Sequence, residues 1–407
     1  MKQLLHTPEG VRDIYNIECG KKLVLEREIR KVFKSYGYHN IQTPTFEYFD
    51  VFSKEIGTVP SKELYKFTDR EGETLVLRPD ITPSIARVAA TLYANQDLPI
   101  RLCYTGNVFI NHSSYQGRMK ENTQMGVELI GDDSVYADGE MLALVVESLL
   151  SAGLKEFQIS VSDAGFFKSI IGNGNFNEED ELKIRELINN RNFYATQEHL
   201  ESINASSECI NSIAALDELF GGVEILEHAK KITSTETGTA SINRLLEIYE
   251  ILKSYGLEEY INFDLSMSGG SYDYYTGIIF RGYTFGVGDA IVKGGRYDHL
   301  IEKFGKNSPS IGFVIVVDEL LNAINRQNVV VPYVRKNTLV LFRKNEFELA
   351  LREASAIRAD GQEAEMIQLK DDKSIDDYIE YGKEFYAKQI LYFNDDSQLQ
   401  TIDLTSK

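Results

Sequence analysis

Apolar side chains at Leu23, Leu25, Ile29, Val32 and Phe33 recur near helical spacing, so residues 17 to 37 are predicted as a helix. The following "SYGYHNIQTPTFEYFD" turns extended before Pro44 and reads as an edge strand. Next, "ELYKFTDREGETLVLRPDITPSIARVAATLYA" predicts two short strands around a Glu-Gly turn, then a helix beginning near Pro83. "IRLCYTGNVFIN" and "NTQMGVELIG" alternate apolar and polar residues on either side of the polar segment His112 to Glu121. That pattern suggests antiparallel strands joined by a long loop, and hence an antiparallel rather than a doubly wound sheet.

From Asn177 to about Glu259 the pattern changes to acidic amphipathic helices, "NEEDELKIRELINNR" and "SINRLLEIYEILKSYG" among them, each opening on an Asn or Ser suited to cap it. Strand signals return in "INFDLSMSGGSYDYYTGIIFRGYTF" and "DAIVKGGRYDHL", and a final apolar helix follows "SIGFVIVVDELLNAI". After Pro332, "TLVLFR", "FELALREASAIRADG", "EAEMIQ", "SIDDYIEYGKEF" and "QILYF" alternate strand and helix. The expectation is an α+β chain: a core begun over residues 1–172, a helical insertion over 173–260, the core resumed over 261–330, and a small α/β domain over 331–407.

Composition narrows the function. Across 407 residues, 43 Lys+Arg stand against 62 Asp+Glu, a formal net charge of −19. A protein that neutralises a phosphate backbone needs a basic stripe, so a nucleic-acid binder is not expected. Residues 337 to 407 carry nine basic and fifteen acidic side chains, which offers no RNA-binding surface there either. Cys19, Cys103 and Cys209 are too few and too far apart for a disulfide framework or a zinc knuckle, in keeping with a reducing cytoplasm. "MKQLLHTPEGVRD" lacks an apolar signal core and runs such as "GFVIVV" are far shorter than the roughly 20 residues that cross a bilayer, so neither export nor membrane insertion is expected.

Metalloprotease, nucleophile-elbow, P-loop and Cys-pair motifs are all missing, and Gly286 and Gly288 do not complete a dinucleotide fingerprint. No metal or cofactor is expected. The pairs Gly269-Gly270 and Gly294-Gly295 read as hairpin turns or close sheet contacts. Asp80 and Thr82 sit at a predicted strand end, while Gln124 and Glu128, four apart, share one face of an extended strand. Two carboxylates and an amide suit a ligand ammonium, and Tyr274, Tyr275 and Tyr297 suit a planar ring, so an amino acid is a plausible guest. The alternative is that Asp80 and Glu128 are exposed or cap backbone donors.

In order along the chain, "LRPDIT", "GNVF", "TQMGVELIG", "DYYTG", "GGRYDHL" and "GFVIVVDEL" resemble histidyl-tRNA synthetases over roughly residues 7 to 325. The "TPEGVRD" opening and the Pro44 segment look like that family's N-terminus and its dimer-forming motif 1. The resemblance implies a class II aminoacyl-tRNA synthetase-like antiparallel sheet flanked by helices and a homodimeric core. It also implies that Asp80 (a glutamate in the synthetases), Thr82, Gln124, Glu128, Tyr274, Tyr275 and Tyr297 bind histidine.

The same resemblance exposes what is lost. Positions matching the synthetases' catalytic arginines hold Ile110, Gly270 and Glu319, His112 replaces a motif 2 glutamate, and "SGGSYDYYTG" departs from Arg-Gly-Leu-Asp-Tyr-Tyr. Removing one preorganised donor to a developing oxyanion costs on the order of 100- to 1000-fold in rate, so three such losses should abolish adenylate formation. Glu319 adds a negative charge that opposes ATP. Of the basic residues retained, Arg118 is placed to touch an anion, whereas Arg296 reads as a structural bridge within "GGRYD".

This split is similar to the regulatory subunits of ATP phosphoribosyltransferase, synthetase paralogues in histidine biosynthesis. That resemblance implies a non-catalytic chain, required by a short-form catalytic subunit in an expected hetero-octamer and relaying feedback inhibition by histidine, bound in the synthetase-like pocket or at the subunit interface. The alternatives are a divergent histidyl-tRNA synthetase and a histidine-sensing binding module.

Overall fold

The computed structural model describes residues 5–52, 59–112, 118–172, 174–233, 235–268, 275–331, 337–394, 396 and 398–405. The chain divides into two compact units, one made of Met1–Asp13 and Leu25–Val331, the other of Ile14–Val24 and Pro332–Lys407.

The first unit is organised by a nine-stranded sheet. Its centre is six antiparallel strands in the order Ile100–Phe109, Glu121–Ile130, Ser310–Val316, Val292–Arg296, Ile278–Thr284, Phe157–Asp163. His39–Asn40 extends one edge in parallel, which is the expected edge strand, and Ile261–Asp264 extends the other in parallel before Phe220–Gly221 closes it. The expected antiparallel sheet is therefore present with parallel additions at both margins. The predicted hairpin forms from Lys66–Thr68 and Thr74–Leu77, but with Phe46–Tyr48 it makes a separate three-stranded sheet.

One face of the large sheet is covered by helices. Val135–Ser151, "VYADGEMLALVVESLLS", is apolar nearly all round, as befits a helix buried on several sides. Ser134 caps it by accepting from the Ala137 amide. Phe33, on the helix Asn16–Ser35, meets Phe313 edge-on with ring centroids 5.9 Å apart, and Phe280 lies 6.5 Å from Phe313. A Cβ on Gly294 would meet both Phe280 and Phe313 near 2.5 Å, so the glycine makes room for phenyl rings on this face.

Between the two halves of the sheet run helices Glu178–Asn189, Phe193–Ser202, Ser207–Ala214, Glu224–Ile232 and Glu236–Tyr255. Asn177 caps the first as expected. The last begins five residues before the predicted Ser241: Thr235 supplies the cap to the Gly238 amide, and Ser241 is buried inside the helix. Gly256, with φ of 70°, ends it in the left-handed region that a Cβ disfavours. A second correction falls on "SIGFVIVVDELLNAI": its first half is the central strand Ser310–Val316, and the helix Val317–Arg326 lies within the segment rather than after it. An apolar run of this length between turn signals fits a buried strand and a buried helix equally well, and pairing on both sides decides it.

The second unit contains a sheet in the order Glu363–Gln368, Asn337–Phe342, Gln389–Phe393, Leu399–Asp403, with the last strand antiparallel. Leu339, Leu341 and Ile390 pack one core with Tyr378, while Val340, Phe342 and Leu391 pack the other with Ala350 and Ala354. No described helix is both long and apolar enough to cross a membrane.

Behind the large sheet, Asp138 accepts from Arg244 Nε at 2.6 Å and from Arg296 Nη2 at 2.6 Å, joining the Val135–Ser151 helix, the Glu236–Tyr255 helix and a central strand. Burial pushes the Asp138 carboxyl up while both guanidiniums pull it down. Removing one member of a buried pair leaves an uncompensated charge, so Asp138→Ala is expected to cost about 3 to 5 kcal/mol. A urea titration of the full chain followed by circular dichroism should show an extrapolated unfolding free energy lower by that amount. A loss under about 1 kcal/mol would contradict the isolation of Arg296 from water.

Candidate functional site

The other face of the sheet holds a cavity of about 370 Å³. Its floor follows from strand pairing. Directly opposed residues share a face, and the pairs Glu128↔Gly312, Gly312↔Gly295 and Gly295↔Ile279 run across four strands. A Cβ at Gly312 would overlap Glu128 Oε2, and one at Gly295 would meet the Tyr275 ring at 2.6 Å. These two glycines let neighbouring side chains lie flat across the sheet and leave a trough above them. Of the two readings open for Gly294-Gly295, close contact on both sheet faces is the one observed, and Gly269-Gly270 lies outside the described residues.

Local anchors set the wall. Arg78 of "LRPD" is buried and donates from Nε to the Asn107 carbonyl at 2.8 Å and from Nη1 to the carbonyls of Thr43 at 2.9 Å and Pro44 at 3.2 Å. This locks the Pro44 segment, the Ile100–Phe109 strand and the start of the Thr82–Thr91 helix together. Asp80 accepts from the Ile81 and Thr82 amides at 2.7 and 3.3 Å while also lining the cavity. Its capping and pocket-lining roles are both real.

Glu128 is the innermost polar group, 1% exposed. It accepts from Thr82 Oγ1 at 2.8 Å, Tyr104 Oη at 3.1 Å, and Tyr297 Oη. Burial pushes its carboxyl up to about 8, against the pull of the three hydroxyls and with a further upward push from Asp80. Protonated at neutral pH, the carboxyl also carries one O–H donor of its own. Gln124, on the same strand face, has its buried Oε1 without a hydrogen-bond partner. Burial also raises Tyr275, with Asp80 adding to the shift.

Thus Asp80, Thr82, Gln124, Glu128, Tyr275 and Tyr297 converge on one cavity, while Tyr274 lies outside the described residues. Tyr104, Arg281 and Lys293 escaped the sequence reading. Alternation along "IRLCYTG" and "IIFRGYTF" places them on sheet faces, but only the register shows that Tyr104 opposes Gly126 and that Arg281 opposes Lys293.

"GGRYD" is explained residue by residue. Gly294 admits the phenyl rings and Gly295 admits Tyr275, as above. Arg296, 3% exposed, turns to the helical face and binds Asp138, the Asp132 carbonyl at 3.0 Å and Asp298 at 3.2 Å, which is the expected structural bridge although in a strand rather than a turn. Tyr297 turns to the cavity, and Asp298 accepts from Thr276 Oγ1 at 2.9 Å and the Ser310 amide at 3.0 Å.

The adenylating side is different. Ile110 lines the cavity, Gly270 lies outside the described residues, and Glu319 sits half-buried in the first turn of the Val317–Arg326 helix. His112 Nδ1 lies 3.8 Å from Glu63, and burial lowers its pKa with help from Arg118. Arg118 also acts on Asp289. Among the described residues, no group of three or more His, Cys, Asp and Glu side chains is arranged to hold a metal ion.

Comparison with known proteins adds family to geometry. The profile of the family described as "Histidyl-tRNA synthetase" matches residues 10–320. A protein of Acetivibrio thermocellus named ATP phosphoribosyltransferase regulatory subunit is 40% identical over 362 residues, covering 89% of this chain and 86% of that one. One of the same name from Clostridium kluyveri is 38% identical, covering 92% and 96%. The crystal structure of a Bacillus halodurans "ATP phosphoribosyltransferase regulatory subunit/histidyl-tRNA synthetase" superposes with a TM-score of 0.85 at 31% identity, covering 96% of this chain and 98% of that one.

The raised Glu128 carboxyl links the cavity to stability. From about pH 4.5 to about 8 the folded chain holds a proton on Glu128 that the unfolded chain has released, so stability falls as pH rises through that window. The Glu128 contribution has a slope of at most about 1.4 kcal/mol per pH unit. Glu128→Gln, which titrates nowhere in this range, should flatten the urea midpoint against pH. Identical pH profiles for the two proteins would show that Glu128 is ionised in the folded chain.

Proposed function

The chain belongs to the family of ATP phosphoribosyltransferase regulatory subunits, and from that premise we propose that its synthetase-like cavity is where free histidine is sensed. The chain serves histidine biosynthesis as a non-catalytic subunit whose partner is the ATP phosphoribosyltransferase catalytic subunit. In our reading that partner is of the short form, a homodimer of this chain forms the core of a hetero-octamer, and histidine binding feeds back on the partner's activity.

One observation carries the sensing role: Gln124 Oε1 is buried without a donor inside a cavity that Asp80, Thr82, Glu128, Tyr275 and Tyr297 also line, with the alkyl side chain of Ile110 on the side assigned to ATP. Buried acceptors without donors cost free energy until a ligand supplies them. Histidine has the matching groups, an ammonium to donate to Gln124 and Asp80 and a ring nitrogen to pair with the protonated Glu128 carboxyl. Its planar ring fits beside Tyr275 and Tyr297, with Tyr274 assigned to the same enclosure by motif alone.

Regulation by such a ligand is a linkage effect. Histidine shifts the partner between active and inactive arrangements only by binding one more tightly, and a coupling of roughly 1 to 3 kcal/mol suffices. A short-form catalytic subunit should gain activity with this chain and lose it again on adding histidine, while this chain alone shows no histidine-dependent pyrophosphate exchange. Exchange without activation would instead mark a synthetase. Glu128→Ala should weaken histidine binding at least tenfold by calorimetry with the circular dichroism spectrum unchanged. Undiminished inhibition in that variant would move the effector site elsewhere.

A further inference from the structure

The cavity is segregated by charge in a way that motif matching did not anticipate. Asp80 and Glu128 mark one region, while Arg281 and Lys293 line another. The two cations are direct cross-strand partners, Arg281 on Ile278–Thr284 against Lys293 on Val292–Arg296, so they share a sheet face. Like charges directly opposed across strands destabilise a sheet. In a chain with 62 acidic side chains, neutralising them would be simple, yet among the described residues no carboxylate forms an ion pair with Arg281. Among the described residues, Lys293 forms an ion pair with Asp289 alone, at 3.6 Å, with both side chains about half exposed.

Reach is adequate. Glu128 and Arg281 stand on strands three positions apart, about 14 Å at roughly 4.8 Å per strand, and Arg281 lies two residues along from Ile279, which stands across from Glu128, so their Cα atoms are roughly 16 Å apart. Glu128 leans over Gly312, which shortens the gap, and an extended arginine covers much of the rest. What is left suits one small zwitterion with its cationic groups toward Asp80, Gln124 and Glu128.

We propose that Arg281, assisted by Lys293, holds the carboxylate of the amino-acid ligand and thereby makes the cavity specific for an α-amino acid over the corresponding amine. This rests on the sensing role proposed above. A guanidinium on Ile278–Thr284 approaches the ligand from the sheet floor and belongs to a different stretch of chain from Gly270, the position that matches a synthetase arginine. It therefore restores a carboxylate anchor without restoring the adenylating groups.

The test is calorimetry on the full chain with histidine, with histamine, which lacks the carboxylate, and with inorganic pyrophosphate. The unsubstituted chain should prefer histidine to histamine by roughly 10- to 100-fold, the span of a charge-assisted hydrogen bond. Arg281→Met should lose that preference by weakening histidine alone, and Arg281→Lys should restore part of it, which a merely structural role for Arg281 would not produce. Equal affinity of the unsubstituted chain for histidine and histamine overturns the assignment, as does unchanged histidine binding in Arg281→Met. Loss of pyrophosphate binding with histidine binding intact would make Arg281 a phosphate ligand instead. No histidine binding by the unsubstituted chain overturns the sensing role and this assignment together, whereas the other failures leave the sensing role standing.

Discussion

The burial of one carboxyl, Glu128, in the middle of a β-sheet is the constraint on which the site depends. A carboxyl out of water must be hydrogen-bonded, neutralised or both. Here Thr82 at a helix start, Tyr104 on the neighbouring strand and Tyr297 beyond the central strand all donate to it, and Gly312 vacates the space it occupies. Four separate stretches of chain are thus committed to one side chain. That commitment fixes the relative placement of the strands.

A second buried polar cluster lies on the reverse of the same strands. Arg296 and Tyr297 are consecutive, and strand alternation sends them to opposite faces: Arg296 to Asp138 under the helices, Tyr297 to Glu128 in the cavity. Asp138 also binds Arg244 from the helical segment. A shift of this strand by one residue would take Arg296 from Asp138 and Tyr297 from Glu128, so the two clusters pin each other's register. Through them the helical segment and the cavity share a mechanical connection of one peptide unit.

The chemistry that the fold lacks is as informative as the binding proposed for it. Adenylate formation needs positive charge placed where a phosphate becomes more negative, and Ile110 presents an alkyl group to the cavity where the synthetases present an arginine. Binding an amino acid needs only acceptors, a ring-sized gap and a counter-charge. The second property needs none of the groups of the first, and the proposed sensing role of a non-catalytic subunit needs only the second.

How much of this was legible in the chain follows from the range of the forces involved. The order of strands and helices, the antiparallel pairing of "IRLCYTGNVF" with "ENTQMGVELI", the Asn177 cap and the shared face of Gln124 and Glu128 are set by local periodicity and turn chemistry, which neighbouring residues encode. The start of the helix at Glu236 was not legible, because Thr235 and Ser241 are both competent caps and packing chose between them. Nor could "GFVIVV" be told from the opening of a helix until strands paired on either side of it. Tyr104, Arg281, Lys293 and the exact clearance at Gly312 belong to register between strands up to about 190 residues apart. Which side chain stands opposite which is decided by the closure of those long loops, and no local signal carries that information.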